Sequence, residues 1–337
     1  MSVIFGVNKI VFMAKVAING FGRIGRAFFK LALTKPELEI VAINDLGELS
    51  NIVALLQHDS VYGEYSSKVE SQNSDGKNYL VVDGKPYLFL NEKDPEKLPW
   101  GELGIDIVVE ATGVLESYTK ASVHKKAGAK RVVITAPTED GDSPDNRTVL
   151  MGINEDVLKT CTISSNGSCT TNSAASVMQI LSDRLGIKKA FLNTTHAYTA
   201  RQANAGSNII PAETGAAMAI DRVITSLKGK FDGYGLRVPV EIGAISVITL
   251  VLEKTTTAEE VNEILKASAL EPRWQGIFKT VVGPLVSSDI IGDPYPAIAD
   301  LSLTRVVDGD LCMVYSWYDN EFGYTNSLLQ HVLKINI

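Results

Sequence analysis

The sequence predicts an α/β protein in which a Rossmann-type doubly wound domain precedes an α+β domain with a mostly antiparallel or mixed sheet. Two observations predict this fold class. Near the N-terminus a glycine-rich turn joins an apolar strand pattern to a helical pattern, and strand and helix patterns then alternate. The second half carries longer apolar strand patterns with fewer helices between them. Alternation of the first kind is typical of a parallel sheet covered by helices on both faces.

The composition of the chain limits the classes of function and partner that it can have. The chain has 337 residues, of which 45% are hydrophobic and 21% charged, and its formal net charge is -7. This length allows two domains with separate cores. The acidic balance without a basic cluster disfavours a dedicated nucleic-acid partner, and no apolar run suggests a membrane partner. Three cysteines without a C-x-x-C pair predict no disulfide framework and no metal site, and they favour a reducing, cytoplasmic location.

The first strand pattern, Lys15–Asn19, leads into Gly20-Phe21-Gly22-Arg23-Ile24-Gly25 and a helical pattern. In such a turn the first glycine permits the tight bend and the second lets the backbone approach a pyrophosphate. The third allows close packing of helix and strand. Strand, glycine turn and helix in this order predict a dinucleotide site that includes Gly20, Gly22 and Gly25.

A carboxylate follows the second strand pattern. The run Glu39–Asn44 ends at Asp45, 20 residues beyond Gly25. A carboxylate at this spacing accepts hydrogen bonds from the adenosine ribose hydroxyls and repels a 2′-phosphate, so we expect NAD rather than NADP. The alternative is an ordinary strand, turn and helix with an aspartate that caps the turn.

The rest of the first half fits the same sheet. Residues 66–90 carry two Asp-Gly turns between short strand patterns and predict a hairpin meander. Two further strand patterns, Asp106–Glu110 and Arg131–Pro137, lie on either side of a predicted helix at Ser122–Ala127. Ligands of doubly wound sheets bind at the carboxyl ends of the strands, so we expect Thr112 and Thr135 to line the cofactor cleft.

Cys169 is the candidate nucleophile. The apolar positions of an amphipathic run, Ser173–Leu185, recur at helical spacing, which puts the cysteine at a helix N-terminus. Unpaired N–H groups and the helix dipole there stabilise a thiolate and a neighbouring anion. The alternative is a buried structural thiol. The polar neighbours Ser168 and Thr170 argue against an apolar core position.

Four histidines compete to be the base. His58 and His124 fall within helical patterns of the first half, and His331 lies on the last helical pattern. His196 follows the strand pattern 190–195, at a strand end where a side chain can face a cleft. A Cys–His pair is a common way to activate a thiol, although the sequence does not give the distance between Cys169 and His196.

Two further segments suit an anion. Thr214 and Gly215 precede a helical run and offer a hydroxyl and backbone amides. Arg237 is expected at a turn before the strand pattern Ala244–Leu252. The residue pattern leaves two roles open for Arg237, a surface charge or a bidentate phosphate ligand.

The chain resembles the phosphorylating glyceraldehyde-3-phosphate dehydrogenase family over its whole length from Lys15. The resemblance rests on motifs that occur in the family's order, namely Asn19-Gly20-Phe21-Gly22-Arg23-Ile24-Gly25-Arg26, Ile43-Asn44-Asp45-Leu46, Ser168-Cys169-Thr170-Thr171-Asn172, His196-Ala197-Tyr198-Thr199, Thr214-Gly215-Ala216-Ala217, Leu236-Arg237-Val238-Pro239, Pro284-Leu285-Val286-Ser287-Ser288-Asp289 and Ser316-Trp317-Tyr318-Asp319-Asn320-Glu321.

The resemblance implies an activity. D-glyceraldehyde 3-phosphate is oxidised by NAD and phosphorylated to 1,3-bisphosphoglycerate, in glycolysis, with inorganic phosphate as co-substrate. The Cys169 thiolate would form a thiohemiacetal and then a thioester, with His196 as the base. A homotetramer is implied as well. The alternatives are a related phosphosugar aldehyde dehydrogenase, such as erythrose-4-phosphate dehydrogenase, and a binding protein that has lost catalysis.

The resemblance also assigns site residues. It implies that the backbone amides of Arg23 and Ile24 bind the pyrophosphate and that Asn320 fixes the nicotinamide carboxamide. The substrate phosphate would lie at Thr199 and Arg237. The attacking phosphate would lie at four positions, Ser168, Thr170, Thr214 and Gly215.

The family pattern further suggests domain limits, and this sequence departs from that pattern at a few positions. We place the NAD-binding domain at 1–167, the catalytic domain at 168–318 and a C-terminal helix that returns to the first domain at 319–337. Residues 1–12 read as an extension before a natural start near Met13. The loop Gln202–Ile210 is shorter than in most relatives, and Arg201 and Ser173 are atypical. We expect Arg201 to restore positive charge that the short loop lacks, and Ser173 to remove a disulfide partner for Cys169.

Overall fold

The computed structural model describes residues 13–199, 202 and 205–335. The predicted extension 1–12 and Arg201 lie outside the described residues, as do two positions of the atypical loop that follows. No helix in the described part of the chain is long and apolar enough to cross a membrane.

The first half forms a sheet covered by helices. Its strands are β1 (Ala14–Asn19), β2 (Leu38–Asn44), β3 (His58–Asp59), β4 (Gly63–Glu64), β5 (Val69–Ser74), β6 (Lys77–Val82), β7 (Lys85–Leu90), β8 (Ile107–Glu110), β9 (Arg131–Ile134), β10 (Asn146–Thr148) and β11 (Ile163–Ser165). Its helices are α1 (Arg23–Ala32), α2 (Leu49–Gln57), α3 (Trp100–Leu103), α4 (Tyr118–Ala121) and α5 (Val123–Lys126).

The order of the main sheet is β10-β11-β9-β8-β1-β2-β7-β6-β5, with β3 and β4 paired separately. All its pairs are parallel except β5–β6 and β6–β7, which form the expected meander. The strand order reverses between β1 and β8, so the connections after these two strands diverge to opposite sides. A crevice at the carboxyl ends of β1 and β8 is the ligand position that such a reversal creates.

The second half forms a mixed sheet. Its strands are β12 (Ile187–Ala197), β13 (Ile210–Glu213), β14 (Phe231–Val238), β15 (Ala244–Leu252), β16 (Phe278–Val281), β17 (Ala297–Asp300), β18 (Arg305–Val307) and β19 (Leu311–Tyr318). Its helices are α6 (Cys169–Leu185), α7 (Ala216–Val223), α8 (Ala258–Ala269) and α9 (Phe322–Lys334). The order is β13-β14-β12-β15-β19-β17-β16, with β18 on β19. Together the two sheets confirm the predicted fold class.

The helix α6 forms the centre of the core. The five apolar positions that predicted it are buried, Ala174, Val177, Met178, Leu181 and Leu185. The polar residues of its first turns are buried as well. The sequence had suggested an amphipathic helix, but this part of α6 is buried on all sides. Ser327 of α9 donates a hydrogen bond to Asn172 Oδ1 at 2.7 Å, and Ser164 Oγ of β11 lies 2.7 Å from His331 Nε2. These contacts hold the last helix against both α6 and the first sheet.

The helix expected at Ser122–Ala127 is confirmed as the short α5, whose N-cap is Ser122 and whose C-cap is Ala127. Two other local predictions were wrong. His58 ends α2 in extended backbone and pairs with Glu64 instead of continuing a helix. Arg237 lies within β14 and not at a turn, because this strand continues to Val238 beside β12.

Candidate active site

Cys169 is the first residue of α6, as the sequence predicted. Ser168 caps the helix, since its hydroxyl accepts a hydrogen bond from the Thr171 amide at 3.0 Å. Thr171 Oγ1 in turn accepts one from the Ser168 amide at 3.1 Å. This reciprocal capping box fixes the entry to the helix, so that the cysteine sulfur is held at the end where the helix dipole is positive.

His196 reaches the cysteine from the neighbouring sheet. It lies next to the end of β12, and its Nε2 is 3.3 Å from Cys169 Sγ. The imidazole is buried. The structure therefore brings together the candidate nucleophile and the candidate base that the sequence selected from different elements, at a distance that permits proton transfer between them.

Burial shifts the pKa of both members of this pair. It raises the pKa of the Cys169 thiol to about 11, although the Arg237 charge and hydrogen bonds at Thr170 act in the opposite direction. It lowers the pKa of His196 to about 4, and the Arg237 charge adds to that effect. Desolvation thus disfavours the charged form of both groups, in opposition to the helix dipole, and the thiolate expected at Cys169 stays a prediction.

Arg237 contacts the far side of the imidazole. It is the register partner of His196 on the parallel strands β14 and β12. Its Nη1 lies 2.5 Å from His196 Nδ1 and donates to Ala197 O at 3.1 Å. These contacts disfavour a free surface charge for Arg237, and its role as a phosphate ligand stays a prediction.

A chain of hydroxyls lies beneath the pair. Tyr318 OH is 2.9 Å from Thr170 Oγ1 and 2.7 Å from Thr194 Oγ1, so it joins the first turn of α6 to β12. The Tyr318 ring packs edge-on against His196, with 6.0 Å between ring centroids. Sequence reasoning did not single out Tyr318 or Thr194. The only signal for Tyr318 was its place in the motif Ser316–Glu321.

Two of the other predicted anion ligands, Thr199 and Thr214, form hydrogen bonds with residues close to them in sequence. Thr199 donates from its hydroxyl to Gln202 Oε1 at 2.8 Å, and Thr214 Oγ1 accepts from the Ala216 amide at 3.3 Å. Gly215 caps the N-terminus of α7 without a side chain. The hydroxyl of Thr170 lies 2.9 Å from Tyr318 OH.

The predicted dinucleotide turn opens onto a cleft of about 550 Å³, which Gly20, Gly22, Asp45 and Thr112 help to line. A Cβ at Gly20 would lie 2.6 Å from the backbone of Thr112, and one at Gly25 would lie 2.1 Å from Gly20 O. Nothing lies within 4 Å of a Cβ placed at Gly22. Two glycines are thus needed for packing, and Gly22 leaves open space for a ligand at the start of α1.

Asp45 stands at the end of β2, as predicted. Its Oδ2 accepts from the Phe21 amide at 2.6 Å and its Oδ1 from the Gly47 amide at 2.8 Å. These bonds hold the carboxylate on the wall of the cleft, where it suits two neighbouring hydroxyls of a ribose. The residues present therefore fit an adenine dinucleotide without a 2′-phosphate.

A buried polar network supports this cleft from below, and sequence reasoning missed it. Glu110 Oε2 lies 2.7 Å from His124 Nε2 and accepts from Asn19 Nδ2 at 2.7 Å. Trp100 donates its indole N–H to His124 Nδ1 at 3.1 Å, so the histidine proton is on Nε2 and is donated to the carboxylate. Glu110 also accepts from the Thr112 amide at 2.9 Å, which fixes this residue on the cleft.

The remaining predicted cofactor residues surround the same region without lining this cleft. Arg23 and Ile24 begin α1, which has no side-chain cap. The Arg23 guanidinium pairs with Asp59 and Glu321. Asn320 accepts from the Gly243 amide at 2.8 Å. Thr135 follows β9, and its amide donates a hydrogen bond to Glu110 O at 3.0 Å.

Comparison with known families gives two matches on this chain. Residues 14–118 match the family described as the NAD binding domain of glyceraldehyde 3-phosphate dehydrogenase. Residues 168–320 match the C-terminal domain of the same enzyme. The first match covers the glycine turn and Asp45, and the second begins at the cap of α6 and ends at Asn320.

Similar proteins are found along nearly the whole chain. A glyceraldehyde-3-phosphate dehydrogenase of Thermotoga maritima is 45% identical over 94% of this chain and 97% of its own length. One of Clostridium pasteurianum is 43% identical over the same shares. One of Mycobacterium avium is 42% identical over 95% of this chain and 98% of its own length.

Proposed function

The chain belongs to the glyceraldehyde 3-phosphate dehydrogenase family and is an NAD-dependent oxidoreductase, and we propose that it carries out the glycolytic oxidation of D-glyceraldehyde 3-phosphate with inorganic phosphate as acceptor. The product is 1,3-bisphosphoglycerate. The observation that carries this proposal is the 3.3 Å separation of Cys169 Sγ and His196 Nε2 in a chain whose first half has a dinucleotide fold. A thiol and a base at this distance are suited to covalent aldehyde chemistry.

The first step is addition. The Cys169 sulfur attacks the aldehyde carbon, and the thiol proton ends on the aldehyde oxygen, which gives a thiohemiacetal. His196 Nε2 carries this proton across, because it is the base within reach of the sulfur. The first turn of α6 directs backbone N–H groups toward the region of the sulfur, where negative charge develops on the oxygen.

Oxidation follows. His196 removes the hydroxyl proton while hydride leaves the same carbon, so that the thiohemiacetal becomes a thioester on Cys169. NAD, when bound, accepts the hydride. The protein contributes the placement of the cofactor through Gly22 and Asp45 on the cleft and through Asn320 near the second sheet.

Inorganic phosphate then attacks the thioester carbon. The carbon–sulfur bond breaks, an acyl phosphate leaves, and the Cys169 sulfur takes up a proton again. We assign the substrate phosphate to Thr199 and Arg237, and the attacking phosphate to Ser168, Thr170, Thr214 and Gly215. Arg237 supports this assignment, since it supplies a partly exposed guanidinium next to the catalytic pair.

The alternative of a related enzyme such as erythrose-4-phosphate dehydrogenase is not favoured, because the similar proteins described above are all glyceraldehyde-3-phosphate dehydrogenases. A protein without catalysis is not favoured either, since Cys169 and His196 are present and adjacent.

We further propose a homotetramer in the cytoplasm. Phe191 and Tyr234 are 44% and 43% exposed on the mixed sheet, and their rings pack edge to face with centroids 5.8 Å apart. An exposed aromatic patch of this kind suits contact between copies of the chain. The thiols of Cys161, Cys169 and Cys312 are all free, which fits a reducing compartment. Native mass spectrometry tests the tetramer, and a monomer would contradict it.

The activity is tested by NADH formation from glyceraldehyde 3-phosphate and NAD in phosphate buffer. We expect turnover by the wild type and none by Cys169→Ser, whose hydroxyl is a far weaker nucleophile. His196→Gln should retain binding and lose about 10²- to 10⁴-fold in rate. Wild-type protein that forms no NADH would support the reading as a binding protein that has lost catalysis.

A further inference from the structure

The carboxylate of Glu110 collects hydrogen-bond donors beneath the dinucleotide cleft. Its Oε1 accepts from the amide and the hydroxyl of Thr112, and its Oε2 accepts from Asn19 Nδ2 at 2.7 Å. His124 donates its Nε2–H to the same Oε2 at 2.7 Å, because the indole of Trp100 already donates to Nδ1. Within the described residues, Glu110 thus bonds to four donor groups, and only a carboxylate can accept from all of them.

The polarity of this carboxylate continues across the floor of the cleft. Asn19 turns its amide nitrogen to Glu110, so its Oδ1 is left to accept from Asn44 Nδ2 at 2.8 Å. Asn44 in turn accepts from the Glu92 amide at 2.9 Å and donates to Glu92 O at 3.0 Å. The chain of bonds therefore runs from Thr112, which follows β8, to Glu92, which follows β7, and both residues line the cleft.

The pair of Glu110 and His124 lies below the surface of the cleft. Glu110 is 2% exposed and His124 0% exposed, and both are absent from the described residues that line the cleft. Asp45, whose carboxylate suits the adenosine ribose, lines the same cleft as Thr112. A change at Glu110 would therefore move a wall of the adenosine site without removing a group that touches the dinucleotide.

We infer that Glu110 and His124 are positioning residues for the dinucleotide: their hydrogen bonds set the separation of the two cleft walls and, with it, the affinity for the adenosine half. The alternative is that the pair contributes only to the stability of the first sheet. NAD binding by this domain does not require the proposed aldehyde chemistry, so the two can be tested separately.

The test is the dissociation constant of NAD for wild type and Glu110→Gln, measured by isothermal titration calorimetry without aldehyde or phosphate. The glutamine amide must place its own N–H groups against some of the donors that Glu110 accepts from, so one wall of the cleft loses its support. We expect the dissociation constant to rise about tenfold. AMP, which contains only the adenosine half, should be weakened by the same factor.

Asp142→Asn is the matched control that separates positioning from stability. Asp142 also holds a buried threonine by its amide and its hydroxyl, since it accepts from Thr148 at 3.0 and 3.1 Å, and it accepts from Tyr118 OH at 2.9 Å. It belongs to the same half of the chain but is not among the described residues that line the cleft. Both variants should lower the melting temperature, but Asp142→Asn should bind NAD and AMP like wild type.

His124→Phe tests the deeper member of the pair. It keeps an aromatic ring but removes the donor to Glu110, whereas the bonds of Glu110 to Thr112 and Asn19 can persist. We expect NAD and AMP to be weakened together, by a smaller factor than in Glu110→Gln. Because His124 is fully buried, this effect can reach the ligand only through its neighbours. If Glu110→Gln does not fold, the comparison of His124→Phe with Asp142→Asn decides.

Steady-state kinetics give a second readout. A positioning role raises KM for NAD and leaves kcat at saturating NAD within error of wild type. Unchanged dissociation constants in Glu110→Gln and His124→Phe would overturn the inference, and so would an equal loss in Asp142→Asn. A loss for NAD with AMP unaffected would also overturn it, since the effect would then lie outside the adenosine site. A protein that shows the expected binding differences but forms no NADH would keep this inference and lose the proposed activity.

Discussion

Arg237 and His196 are register partners on two parallel strands, and a single guanidinium nitrogen of Arg237 lies 2.5 Å from His196 Nδ1. In a parallel pair, side chains of register partners lie on the same face of the sheet. The arginine is therefore held beside the base by the register of β12 and β14. The glycine turn, Asp45, Tyr318 and His331 lead to further predictions.

Gly22→Ala should separate cofactor binding from stability. A Cβ at Gly22 meets nothing within 4 Å, so the melting temperature should stay within error of wild type. The added methyl group would occupy the space left for a pyrophosphate, so KM for NAD should rise roughly tenfold, or about 1.4 kcal/mol. Steady-state kinetics and thermal melts measure both quantities.

Gly25→Ala provides the contrast to Gly22→Ala. Its Cβ would lie 2.1 Å from Gly20 O, which is backbone and cannot turn away. We expect a loss of about 1–3 kcal/mol in the free energy of unfolding, measured in urea. Equal stability of the two alanine variants would contradict the packing role of Gly25.

Asp45→Asn should weaken the preference for NAD over NADP. The change removes the charge that repels a 2′-phosphate and weakens the bonds to ribose hydroxyls, which costs about 2 kcal/mol or roughly thirtyfold in KM for NAD. KM for NADP should fall. Glu92→Gln is a control, because Glu92 lines the same cleft but accepts from the Asp94 amide in a turn. An unchanged ratio of the two KM values in Asp45→Asn would exclude the ribose role.

Tyr318→Phe tests the hydroxyl chain beneath the catalytic pair. The variant leaves Thr170 and Thr194 without their shared partner, so we expect a loss of about 1–3 kcal/mol in stability and a lower kcat. Tyr234→Phe, which changes an exposed tyrosine, should have little effect on either. If both tyrosine variants behave alike in urea denaturation and in kinetics, the hydrogen bonds that join Tyr318 to Thr170 and Thr194 have no structural role.

His331 should make the fold sensitive to acid. Burial lowers its pKa to about 3, from 6.5 for an exposed histidine. Below pH 6.5 the unfolded chain therefore binds a proton that the folded chain excludes. Stability falls as pH drops from about 6.5 toward 3, by up to about 1.4 kcal/mol per pH unit for this proton. His196 contributes in the same direction because burial lowers its pKa to about 4.

The variant His331→Gln should be less stable than wild type at pH 8, since it disturbs the contacts with Ser164 and Asn166. Its stability should nevertheless decline less steeply between pH 6.5 and 4. His58→Gln changes an exposed histidine and is the control. Urea denaturation at several pH values measures the slopes, and identical slopes in wild type and His331→Gln would rule out this explanation.

The local sequence pattern was sufficient to predict part of the candidate site. The glycine turn, Asp45 at the end of β2 and Cys169 at the start of α6 each depend on residues close in sequence, whose spacing sets their geometry. His196 could be chosen among the four histidines because it alone follows a strand pattern at a point where a cleft was expected.

Long-range relations were not predictable in this way. The contact of Arg237 with His196 depends on the register of two strands that are 41 residues apart at this point. The network of Glu110 with His124 joins a strand to a separate helix. The raised pKa of the Cys169 thiol follows from desolvation in the folded protein, which a helix N-terminus alone does not reveal.

The most direct test of the central claim is a rapid-mixing experiment that follows NADH when the enzyme meets glyceraldehyde 3-phosphate and NAD in a buffer free of phosphate and arsenate. A thioester on Cys169 that requires phosphate for release predicts a burst of a single NADH per active chain, followed by steady turnover once inorganic phosphate is added. Continuous turnover without phosphate would contradict the account and point to a hydrolytic aldehyde dehydrogenase, for which the assigned phosphate ligands have no role.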